Sequence, residues 1–108
     1  MVKESDLNKA AQDLIESIGG YVIKTIATNK AGVHDILACI KGRFCSFEGK
    51  LEYNKMSELQ KAHQIKVIKA GGYAVELRSM ADIWKVVEWI DADYKQPIPE
   101  SSLKEFEL

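Results

Sequence analysis

Two short β-rich runs, "DILACI" (35–40) and "RFCSFEGK" (43–50), are separated only by Lys41-Gly42. Apolar, branched and aromatic runs with so short a link between them read as an antiparallel hairpin. Side chains alternate along a strand, so residues two apart share a face and lie roughly 6–7 Å apart. Glu48 and Lys50 therefore point the same way, with Ser46 and Phe44 behind them, and the hairpin brings Asp35 to the neighbouring strand. Acids and a lysine are costly to hold against a hydrophobic sheet, so their presence at its end needs a reason.

The rest of the chain reads around this hairpin. Leu7, Ala11, Leu14, Ile15 and Ile18 recur at helical spacing, and Gly19-Gly20 stops them, which predicts a helix from about residue 3 or 5 to 18. "YVIKTIA" (21–27) is a further β-rich run and "TNKAG" (28–32) a loop. Ser57-Glu58-Leu59-Gln60 has the form of a capping box, opening a helix that runs to Gly71-Gly72. "YAVELR" (73–78) alternates as a half-buried strand, and Ser79 and Asp82 can cap a last helix with an Ile83, Val86, Val87, Ile90 stripe. The order α-β-β-β-α-β-α implies an α/β fold, a mixed β-sheet flanked by helices. The division is a domain over residues 1–94 and a polar, acidic, irregular tail over 95–108.

A chain of 108 residues with 46% hydrophobic content suffices for one modest core. No apolar run of about 18 residues and no charged-then-apolar leader occurs, which favours a soluble, cytoplasmic chain with no membrane partner. Cys39 and Cys45 lack metal-ligand spacing and read as reduced core thiols. The net charge of −1 hides a division: residues 1–80 carry 12 Lys/Arg against 9 Asp/Glu, whereas 81–108 carry 3 against 7. The hairpin thus lies in a mildly basic region, as suits a polyanionic partner.

Two carboxylates converging beside an ammonium suit a hard divalent cation, because Mg²⁺ takes oxygen ligands and commonly uses one or two carboxylates. Lys50 would then orient or deprotonate an attacking water, or balance charge on a phosphoryl group. An exposed, salt-bridged hairpin end would present the same three residues.

The set Asp-x(12)-Glu-x-Lys, here Asp35, Glu48 and Lys50, resembles the PD-(D/E)xK nuclease superfamily, and its surroundings resemble the virus-type replication-repair (VRR-NUC) branch. A "K-x-G-x-P-D" loop is matched by Lys30 to Asp35, and "G-R-F-x-x-F-E-x-K" by Gly42 to Lys50. "L-S-x-x-Q" is matched by Met56 to Gln60, and "A-G-G-Y" by Ala70 to Tyr73. A first-helix glutamate before Gly-Gly is matched by Glu4, fifteen residues before Gly19. The likeness runs from about residue 4 to 78, with two departures: His34 stands where proline is usual, and Gly49 where an apolar residue is usual.

The resemblance implies a restriction-endonuclease-like core and a metal site of Asp35, Glu48 and the Gly49 carbonyl, holding Mg²⁺ or Mn²⁺. It implies a catalytic set of Asp35, Glu48, Lys50, Gln60 and Glu4. Glu4 shares the helical stripe of Leu7, Ala11, Leu14 and Ile18, whereas Glu16 falls on the opposite side. Gln60 has two readings, a capping residue or a group near the bound phosphate or water. Lys30, His34 and Lys61 are candidate DNA contacts. His63 reads as a helix-surface histidine, and Trp84 and Trp89 as core or subunit-interface residues. The implied activity is metal-dependent endonucleolytic hydrolysis of DNA. With no recognition helix visible, branched DNA such as Holliday junctions is the expected substrate, cut by a homodimer.

Overall fold

The computed structural model describes residues 2–103. In chain order it contains α1 (Glu4–Ser17), β1 (Tyr21–Lys24), β2 (Ile36–Ile40), β3 (Arg43–Gly49), α2 (Glu58–Lys69), β4 (Tyr73–Leu77), α3 (Met80–Asp91) and α4 (Glu100–Leu103). The four strands form one sheet in the order β1-β2-β3-β4. The first three pair antiparallel, and β4 joins β3 in parallel after the crossover through α2, so the sheet is mixed as expected.

Lys41 and Gly42 both take positive φ, the conformation of the tight turn whose twist matches that of the flanking strands. The register that follows places Ile36 opposite Phe47 and Ile40 opposite Arg43. With that pairing fixed, Asp35 and Glu48 must emerge at the same end of the sheet. The turn sets their distance.

Ile36, Ala38, Ile40, Cys45, Phe47, Tyr73 and Leu77 fill one face of the sheet. Above them lie Leu7, Ala11 and Ile15 of α1 and Ile83, Val86, Val87 and Ile90 of α3. Each Val, Leu, Ile or Phe among them, fully buried, stabilises the fold by roughly 1.5–3 kcal/mol. The opposite face is covered by α2 only over β3 and β4, where Val67 and Ile68 meet Ala74. Over β1, β2 and the start of β3 it is bare, leaving Tyr21, Ile23 and Phe44 exposed. Cys39 is exposed on this bare face, a correction to its expected burial, and Cys45 is a buried free thiol.

The segment after residue 94, expected as an irregular tail, packs back onto the domain through residue 103. Gln96 is buried, and its side-chain amide pairs with both backbone groups of Ala74: Oε1 accepts from the Ala74 N–H and Nε2 donates to the Ala74 carbonyl, each at 2.8 Å. Ser102 donates to Gln64 Oε1 at 2.5 Å, and Ile98 joins Val67 and Ile68. Polar residues are retained inside here because each satisfies a partner that would otherwise be left dry. Residues 104–108 of the expected tail lie outside the described residues. Among the described residues, no helix is long and apolar enough to cross a membrane.

Candidate active site

Four segments meet at the end of the sheet where β2 begins and β3 finishes: the second turn of α1, the first turn of α2 and the two strand ends. Glu48, on the α2 side of β3, is 3% exposed. Its Oε1 accepts from the Asp35 backbone N–H at 3.2 Å and its Oε2 from Gln60 Nε2 at 3.2 Å. Lys50 Nζ lies 3.7 Å from Oε2, its own side chain 16% exposed. Asp35 Oδ2 accepts from the Gly49 N–H and from Asn8 Nδ2, each at 3.3 Å. The expected trio of Asp35, Glu48 and Lys50 is brought together.

Burial above all, and then the charge of Asp35, pushes the Glu48 carboxyl up to about 7, with Lys50 working in the opposite sense. A buried Glu48 carboxyl beside a half-buried Asp35 has little positive charge near it, which a divalent cation would relieve. The carboxylate oxygens of Asp35 and Glu48, brought together here, suit a hard ion. Among the described residues there is no cluster of three or more His, Cys, Asp or Glu able to hold a metal, so a histidine- or cysteine-rich centre is not present there.

Gln60 has the capping role of its first sequence reading, and it also reaches the candidate site. Its Oε1 accepts from the Ser57 N–H at 2.9 Å and its own N–H donates to Ser57 Oγ at 3.2 Å, completing the capping box. The remaining Nε2 reaches Glu48. The Lys30–Asp35 loop is held against the same helical turn by Gly32, which has φ +81° and whose missing Cβ would overlap the Leu59 carbonyl.

Three expectations are corrected. Glu4 does not contact the acids; its Oε2 accepts from Asn54 Nδ2 at 3.1 Å, and the α1 residue that reaches Asp35 is Asn8, one turn further on. His34 is fully buried, so it presents no surface to a phosphate. Its Nε2 donates to the Gln60 carbonyl at 2.9 Å, and its ring packs edge-on against His63 with centroids 4.4 Å apart. Burial lowers its pKa to about 4, so the ring is neutral near neutral pH. Lys61 is 9% exposed, because it stands on the inward stripe of α2 with Gln64, Val67 and Ile68.

Lys30 keeps an exposed position on the loop. His63 is half-buried behind the site, 2.9 Å from Ser46 Oγ, rather than on the helix surface. Trp89 stacks on Tyr73 with centroids 6.2 Å apart, whereas Trp84 is 47% exposed. Asn8 is the site residue that sequence reasoning missed. Its one signal was a polar side chain a helical turn after Glu4, beside Leu7 on the inward stripe.

A scan of protein-family models found no match, and neither did a comparison with curated proteins. Among solved structures, one titled "VRR_NUC domain" superposes with a TM-score of 0.68 at 26% sequence identity, over 82% of this chain and 97% of that one. This likeness of fold agrees with the ordered sequence elements and supports a nuclease domain of the VRR-NUC type.

Proposed function

We propose that the protein is a metal-dependent endodeoxyribonuclease that hydrolyses phosphodiester bonds in branched DNA. The observation that carries the reading is the joining of Asp35, Glu48, Lys50 and Gln60 at one end of the sheet, with both acids drawn into a single hydrogen-bonded group. Asp35, Glu48 and the Gly49 carbonyl would hold Mg²⁺ or Mn²⁺. Such a cation, when bound, supplies Lewis acidity to the phosphoryl group and acidifies water.

The chain's own residues do the rest. Gln60 and the Asp35 N–H hold the two oxygens of Glu48, so the carboxylate does not have to be ordered when substrate arrives. Lys50 carries positive charge at the half-open mouth of the site, where negative charge grows on the phosphoryl oxygens. Exposed Lys30, on the loop that leads to Asp35, supplies a contact to a neighbouring phosphate.

A chain this small has little surface for reading base sequence, which supports recognition of DNA structure. A homodimer fits the need for two symmetric cuts at a four-way junction, and the exposed Trp84 supports a partner at α3. The test is a cleavage panel of linear, forked, flapped and four-way DNA with Mg²⁺, Mn²⁺ or EDTA, run beside a sizing measurement. Cleavage of branched substrates that stops in EDTA is expected. Binding without nicking at any metal concentration would overturn the enzyme reading in favour of a DNA-holding module.

A further inference from the structure

Asn8 holds an unpaired polar atom. The residue is 4% exposed, and while its Nδ2 donates to Asp35, its Oδ1 has no hydrogen-bond partner. The amide cannot simply be turned over, because that would set a carbonyl oxygen against the Asp35 carboxylate. A buried carbonyl left dry is costly, so its retention calls for a partner that arrives later.

The neighbouring glycine points to the same place. Gly49 is absent from the residues with positive φ, so its backbone would accept any side chain. What excludes one is Asn8: a Cβ on Gly49 would overlap Asn8 Oδ1 and sit 3.1 Å from Asn8 Cγ. The Asn8 amide therefore occupies the space that an ordinary strand residue would fill. It lies over the backbone whose N–H also holds Asp35.

We infer that Asn8 is the third side chain of the cation site: its nitrogen fixes Asp35, its free carbonyl oxygen is offered to the same divalent ion, and position 49 is glycine to leave room for it. The inference rests on the nuclease reading above. Amide carbonyls are ordinary ligands of hard cations, and a neutral one adds coordination without a third negative charge beside the two acids.

The experiment is Mn²⁺ titration of the DNA-free protein by calorimetry, with wild type, Glu48→Gln, Asn8→Ala, Gly49→Ala and the Asn8→Ala/Gly49→Ala pair, each checked for folding by circular dichroism. Removing a supporting group at a metal site typically costs about 10–100-fold in affinity. Asn8→Ala is expected to weaken Mn²⁺ binding about tenfold. Gly49→Ala should do the same by pushing the amide aside, which needs only the end of a side chain to move. The pair should be no weaker than either single variant, since both remove one contact. Wild-type affinity in Asn8→Ala and Gly49→Ala, with Glu48→Gln failing to bind, would overturn the role of Asn8 and leave the nuclease reading standing. Failure of the wild type to bind Mn²⁺, or full binding by Glu48→Gln, would overturn both.

Discussion

Gln60 donates its side-chain N–H to Glu48 Oε2 at 3.2 Å while its side-chain oxygen accepts the Ser57 backbone N–H at 2.9 Å. One residue thus begins a helix and steadies an acid of the candidate site. The start of α2 and the end of β3 are thereby placed relative to each other by a single planar group.

These two duties separate by substitution. Gln60→Ala should lose both, costing about 1 kcal/mol of stability for the cap and about 10–100-fold in cleavage for the support of Glu48. Gln60→Glu keeps an oxygen for Ser57 but sets a third acid against Glu48. Its melting temperature should stay nearer wild type than that of the alanine variant, while cleavage drops as far. Denaturant melts and single-turnover cleavage, measured side by side, check this.

Glu48→Gln should abolish cleavage and still fold, because the two side chains are nearly isosteric. Undiminished cleavage would remove Glu48 from the mechanism.

The pH dependence of the EDTA-treated protein follows from two opposed groups. His34 is lowered from 6.5 to about 4 by burial, so the unfolded chain binds the extra proton and stability falls as pH drops from 6.5 through 4. Glu48 is raised from 4.5 to about 7, so the folded chain binds the proton more tightly, and this contribution is present below 4.5 and lost as pH rises through 7. Each is worth on the order of 3 kcal/mol, at 1.36 kcal/mol per unit. The two should nearly cancel in the wild type between pH 7 and 5. Glu48→Gln removes the compensating half, so its melting temperature should fall on acidification over that window. A flat profile in that variant would contradict the assignment.

Gly32→Ala should cost about 2–4 kcal/mol, since it combines a left-handed backbone with a methyl group thrust at the Leu59 carbonyl. Urea melts would show the loss. Cleavage at saturating metal should fall with it, because the loop that delivers Asp35 is displaced.

Most of the architecture was legible because its signals are local. The 3.6-residue spacing of Leu7, Ala11 and Ile15, the Ser57-to-Gln60 cap and the Lys41-Gly42 turn each carry their own physics. Asp35 and Glu48 were legible for the same reason, since a two-residue turn converts their spacing in the chain into adjacency. What escaped depends on contacts between distant segments. His34 and Lys61 are polar by type, and only the packing of the loop and α2 against the sheet shows them to be buried. Glu4 and Asn8 share one helical stripe, and which of them meets Asp35 is decided by how far α1 slides along the strands. The burial of Gln96 and Ser102 was equally hidden, because composition cannot say that a polar side chain will find a dry partner 22 or 38 residues away.

The pairing of Gln96 with Ala74 has a consequence for how copies of this chain could meet. A carboxamide engaging both the N–H and the C=O of one residue imitates the peptide unit of an adjoining strand, and so plugs the outer margin of β4. A visiting strand would have to evict two 2.8 Å bonds before docking there. Ribbon-to-ribbon extension of the sheet is thereby obstructed at Ala74 by the chain's own glutamine.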